Sequence, residues 1–152
     1  MNIDPKDLEI LNQLQENSKL TNKQLSMKLN LSVTAVFERV KKLERSGIIK
    51  TYAAILDRKE LGRELMVYSH VKLEKHSQKN ISEFENQIKL LDEVHECYHV
   101  SGDYDYILKM TFSDMDEYRE FMVKKLTTIP SIGSTHSIFV ISEVKSEVGY
   151  KL

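Results

Sequence analysis

A second cysteine is missing: Cys97 stands alone, so no disulfide can form within the chain. That fits a cytoplasmic protein rather than a disulfide-stapled secreted one. No apolar run approaches the roughly 20 residues that a membrane-spanning helix needs. The first residues, Met1-Asn2-Ile3-Asp4-Pro5, lack a basic stretch followed by an apolar core, so no signal peptide is expected. The phosphate-cradling patterns G-x-x-x-x-G-K-[ST] and G-x-G-x-x-G are absent, as is the nucleophile elbow G-x-S-x-G. There is no internal repeat and no low-complexity segment.

What is present is the balance of a folded globular protein: 41% hydrophobic and 30% charged residues. A length of 152 residues accommodates one compact domain or two small ones. The net charge of -1 hides an asymmetry. Residues 1–50 hold 9 lysines and arginines against 6 acids, a net of +3, and residues 51–152 hold 13 against 17, a net of -4. A basic head on an acidic body follows. Phosphate attraction depends on local charge, so the head can bind DNA despite the total.

The head reads as three helices. Asp4 caps the first, with Pro5 at its first position and Asp7 favouring its positive end. Leu8, Ile10, Leu11 and Leu14 form its apolar stripe. Thr21 and Gln24 match a capping box that opens the second, and Asn30 tolerates the left-handed turn after it. Ser32 opens the third, where Val36, Val40 and Leu43 recur at helical spacing before Gly47 ends it. Residues 48–55 read as strand with a hairpin at Lys50 and Thr51, and 56–63 as a linker. Beyond it the elements alternate: strand 65–73, helix 78–91, strand 94–100, strand 104–112, helix 114–126, strand 137–144. That order, βαββαβ, is the ferredoxin-like arrangement. The expected fold is α+β, with a winged helix-turn-helix at 1–55 and a ferredoxin-like domain at 64–152.

Two helices separated by a short turn have helix-turn-helix spacing, in which the second helix lays its first residues on base edges in the major groove. Here those residues are Ser32, Val33, Thr34 and Ala35, small enough for close approach, then Glu38 and Arg39. Hydroxyls can read donors or acceptors, and Val33 or Ala35 can touch a thymine methyl. Arg39 can reach guanine or a phosphate. Lys41, Lys42, Arg45 and Lys50 suit phosphate contacts, which position the duplex without reading it. Asn22 and Lys23, opening the preceding helix, complete the candidates.

The segments Ile3-Asp4-x-x-Asp7-x-x-Ile10-Leu11 and Leu31-Ser32-x-Thr34-x-Val36-x-x-Arg39-Val40-x-x-Leu43-Glu44-x-x-Gly47-Ile48-Ile49 resemble the start of the leucine-responsive/asparagine-responsive (Lrp/AsnC) regulators. Val33 departs from a proline common there, which bears on base contacts more than on fold. Residues 100–109, Val-Ser-Gly-Asp-Tyr-Asp-Tyr-Ile-Leu-Lys, and 126–135, Leu-Thr-Thr-Ile-Pro-Ser-Ile-Gly-Ser-Thr, resemble the same family's effector domain. The resemblance implies a cytoplasmic transcription regulator that is not an enzyme and needs no cofactor. Its partners would be double-stranded DNA and an amino acid or related small effector. It would form a homodimer by pairing sheets and assemble further, to an octamer or similar. The effector would sit between dimers near Gly102. There, loop N–H groups can receive a carboxylate, and Asp103 or Asp105 an ammonium. His99, Tyr104, Thr135, His136 and Ser137 are further candidates. For Gly102 and Asp105, purely structural roles, a hairpin turn and local backbone bonds, stand beside this one.

The five histidines do not read as a metal site. His95 and His99 are four apart on a strand, about 13 Å, too far to share an ion. Cys97 between them reads as a buried or interface thiol with no basic neighbour to activate it. Two alternatives stay open: a DNA-compacting architectural protein with no effector, and a haem-pathway decarboxylase built on the same fold.

Overall fold

The computed structural model describes residues 3–152. The chain divides into two compact units, one running to Ile55 and including residues 145–152, the other Leu56–Val144.

The head contains α1 (Pro5–Glu16), α2 (Asn22–Leu29) and α3 (Val33–Arg45). Each starts where the capping chemistry places it. Asp4 and Asp7 form a reciprocal capping box, Thr21 and Gln24 a second, and the Ser32 hydroxyl accepts the Ala35 N–H at 3.1 Å. Asn30 ends α2 with φ +51°, the left-handed conformation its short side chain tolerates. Ile10, Leu25, Val36 and Leu43 are buried at the centre of the three-helix core. The expected hairpin at 48–55 is not formed: these residues carry no ladder pairing. The two apolar runs either side of Lys50-Thr51 are too short for an isolated ribbon, which is marginal even when longer. The Ile49 N–H instead closes α3 on the Leu43 carbonyl at 3.2 Å.

The body follows the expected βαββαβ order: β1 (Leu65–Leu73), α4 (Gln78–Ile88), β2 (Val94–His99), β3 (Tyr106–Phe112), α5 (Met115–Lys124) and β4 (Ile132–Phe139), with a 3₁₀ turn at Leu126–Thr128. The antiparallel sheet runs β2-β3-β1-β4. Alternation sends Val67, Val71, Tyr106, Leu108, Met110 and Phe112 into a core shared with Phe84, Ile88 and Phe121 of the helices. Tyr68, His70, Ile107 and Lys109 point to the other face, which neither helix of the body covers. Cys97 is exposed on the edge strand β2 rather than buried.

The last strand is displaced from its expected frame of 137–144. The apolar run Ile138-Phe139-Val140-Ile141 marks no strand centre. β4 pairs only with β1, in the register Val67↔Phe139 to Leu73↔Ile132, and the pairing runs out with one last bond, from the Val140 N–H to the Met66 carbonyl, near the start of β1. Ile141 and Val144 are almost fully exposed. Helices α4 and α5 end two or three residues early because their last turns tighten, and β3 starts at Tyr106 rather than Tyr104.

Candidate nucleic-acid interface and ligand-binding loop

On α3 the core residues Val36, Val40 and Leu43 define the inner face. Thr34, Glu38, Lys41 and Arg45, spaced four, three and four apart, share the outer face and are exposed. Val33 and Phe37, one turn apart on α3, are also exposed, at 47% and 43%. Ser32 is exposed at the helix entry, and Ala35 is half-buried. Lys41 pairs with Glu44 at 2.9 Å. Arg45, Lys23 and Lys50 have no acidic partner among the described residues.

Arg39 is differently placed. Its Nη1 donates to Asp7 Oδ1 at 2.7 Å and also reaches Asp4, while Lys42 Nζ lies 3.3 Å from Asp7 Oδ2. Asp7 is completely buried. Burial alone pushes its carboxyl up, but Arg39, the Asp4 N–H and Lys42 outweigh that and hold it below the usual carboxylate range.

In the body, Ser101-Gly102-Asp103 link β2 to β3, exposed throughout. Gly102 has φ +134°, which a side chain would strain, and open space surrounds its α-carbon. Asp105 is held on every side. Its Oδ2 accepts the Leu73 N–H at 2.7 Å and its Oδ1 meets His76 Nε2 at 2.7 Å. Its own N–H donates to Val71 and its carbonyl accepts from Val100. Burial raises its pKa, and the Leu73 N–H and His76 together bring it below the ordinary value. Beside it, the rings of Tyr104, His70 and His136 lie nearly parallel with centroids 5.0, 6.2 and 6.3 Å apart. His70 Nδ1 is buried there and has no partner among the described residues.

Residues 3–50 match the winged helix-turn-helix DNA-binding family, and residues 66–150 match the Lrp/AsnC ligand binding domain. The chain belongs to the Lrp/AsnC family. The leucine-responsive regulatory protein of Haemophilus influenzae is 41% identical over 94% of this chain and 86% of its own length. That of Escherichia coli K12 is 36% identical over 94% and 87%. A transcriptional regulator from Neisseria meningitidis solved with L-Met superposes with TM-score 0.94 at 30% identity, covering 99% of this chain and 97% of that one. An AsnC family regulator from Agrobacterium tumefaciens superposes at 0.92 with 30% identity, over 97% and 96%. This Lrp/AsnC chain is therefore a DNA-binding transcription regulator with an effector-responsive domain.

The effector candidates of this regulator do not all converge. Gly102, Asp103 and Asp105 share the β2–β3 loop, and Tyr104 and His136 meet on the uncovered sheet face. His99 stacks on Tyr106, with centroids 4.7 Å apart, on the helix side. Thr135 and Ser137 pair with Val71 and Ser69 and also point to the helix side. Two histidines were not among the candidates: His70, which Tyr104 and His136 flank, and His76, which binds Asp105. No local pattern marks either one, because strand pairing brings their partners from distant parts of the chain. Lys19 and Lys28 were also not among the candidates in the head, and they too have no acidic partner among the described residues. No group of three or more potential metal ligands occurs among the described residues.

Proposed function

We propose that this regulator binds a roughly palindromic operator as a homodimer, with α3 of each copy in the major groove, and that an amino acid binding at the β2–β3 loop changes the assembly. The exposed, hydroxyl-tipped start of α3 over a buried apolar face is the observation that carries the DNA reading. In it, Ser32, Val33, Thr34, Ala35 and Glu38 face base edges, and Asn22, Lys23, Lys41, Arg45 and Lys50 approach phosphates. Gly102 and the neighbouring N–H groups receive the effector's carboxylate, and Asp105 its ammonium. Tyr104 and His136 flank the site, with Asp103, His99, Thr135 and Ser137 contributing from the periphery or from a neighbouring copy. The names of the relatives favour an uncharged side chain of leucine or methionine size. Such a regulator acts in the cytoplasm, where its DNA is.

A thermal-shift screen of the purified protein against the twenty amino acids tests the effector. A ligand bound only by the folded state raises the melting temperature with its occupancy. A rise with leucine, methionine or a few relatives, lost in Asp105→Ala, is the expected result. No rise with any amino acid would favour the architectural reading, in which the body serves assembly alone.

A further inference from the structure

We propose that Arg39 is a positioning residue: it fixes the tilt of the recognition helix α3 against α1 and contacts neither bases nor phosphates. The proposal rests on the DNA reading of α3 and deepens it. Asp7 is sealed from solvent, and a buried carboxylate must be matched by charge or left at heavy cost. Arg39 and Lys42 supply that match. Three apart on α3, they project from one side of the helix. Arg39 bridges both acids of the α1 capping box, reaching Asp4 and Asp7 from the same nitrogen. The box that starts α1 thereby anchors α3.

Two consequences separate this from a contact role. First, Asp4 and Asp7 neutralise the pair Arg39 and Lys42, so this cluster draws little on a phosphate. In the head, the cations without an acidic partner among the described residues are Lys19, Lys23, Lys28, Arg45 and Lys50. Second, moving the guanidinium to a phosphate would strip Asp7 of its principal partner in a dry site. The outer face of α3 carries Thr34, Glu38, Lys41 and Arg45, and Arg39 lies off it, with its side chain 29% exposed.

The experiment uses the full chain and a labelled duplex selected by the wild type from a random library, with poly(dI-dC) as the non-specific comparison. Affinities are measured across a salt series for the wild type, R39Q, R39K, D7N and R45Q, with the active fraction fixed by stoichiometric titration. R45Q is expected to lower the salt slope by about 0.9, one phosphate contact. R39Q is expected to leave the slope unchanged and reduce the ratio of specific to non-specific affinity about ten-fold, the scale of one mismatched base pair. D7N is expected to do the same, and R39K to recover part of the loss. Simple loss of folded head lowers the active fraction and leaves the ratio intact, so an intact ratio in both R39Q and D7N overturns the proposal. So does a salt slope reduced by about 0.9 in R39Q. If R39Q does not fold, D7N decides alone. In a contact role its freed guanidinium tightens binding, and as a positioning partner its loss weakens discrimination.

Discussion

Asp105 has little capacity left for a ligand while His76 sits on it. One carboxylate oxygen holds the Leu73 N–H, which is half-buried scaffold, and the other holds an imidazole whose side chain is 61% exposed and can swing away. An incoming ammonium therefore competes with His76 rather than with Leu73. His76→Ala should tighten amino-acid binding several-fold, measured by calorimetry with L-Leu and L-Met. Weaker binding would mean that His76 helps hold the ligand. Asp105→Ala should behave differently from any pure ligand mutation. It strands the Leu73 N–H and should cost about 1–3 kcal/mol of stability without effector present. A chemical denaturation curve that matches wild type would reduce Asp105 to a ligand contact. None of this could be read locally. The sequence picks out Asp105 and Gly102 as loop residues with useful chemistry, but the partners of Asp105 arrive from 29 and 32 positions upstream. Arg39 repeats the lesson, with its acids 32 and 35 residues away.

At the scale of elements, the helix starts were legible because capping is decided within four residues: Asp4 with Asp7, Thr21 with Gln24, Ser32 with the Ala35 N–H. The frame of β4 was not, because its register is set by pairing with β1, a strand from a distant part of the chain. The tail after β4 was least legible. Residues 145–152 group with the head, where Gln15 and Tyr150 exchange two bonds, 2.6 Å from the Tyr150 N–H and 2.9 Å to its carbonyl. Gly149, at φ +139°, passes so close that a β-carbon there would lie 2.7 Å from Gln15 Oε1. Gly149→Val should release the tail, raising amide exchange in 145–152 and around Gln15 while leaving the sheet unchanged. Equal exchange in the variant would show that the tail is not held in solution. A second element-level device is Glu117 at the start of α5. Its carboxylate takes the Ser113 N–H at 2.6 Å, the Ser113 hydroxyl at 2.8 Å and Arg63 at 2.6 Å, which bring its pKa from 4.5 down to about 2. A depressed carboxylate stabilises the fold above its unfolded pKa and stops doing so as pH falls through the folded one. Glu117→Gln should therefore lose about 1 kcal/mol at neutral pH, allowing for its solvent screening. The gap to wild type should close between pH 4.5 and about 2. A gap that persists at the acid end would mean that shape rather than charge is at work.

For the whole molecule, the face of the sheet without helices carries the argument. Tyr98 is 54% and Ile138 46% exposed there, beside the more sheltered Tyr68, His70, Tyr104 and Ile107 and the exposed His136 ring. Lys109 and Glu96 pair at 2.8 Å across it, and Tyr98 donates to the same carboxylate, so the charges at the centre of this face are matched. An apolar patch whose central ion pair is internally matched suits a two-fold contact, in which each copy meets the same patch on the other. Such a contact must bury on the order of 1,600 Å² in total to hold stably. Ile138→Asp would place an unpaired charge in each half of it, doubled by the symmetry, while leaving the helix-side core of the monomer intact. The expected outcome by sedimentation is a shift from dimer or larger assembly to monomer with an unchanged melting transition in the body. DNA affinity should fall with it, because two heads then no longer share one binding event and the gain from effective concentration is lost. If Ile138→Asp stays fully assembled, the copies meet elsewhere, and the uncovered face belongs to the effector site or to the contact between dimers.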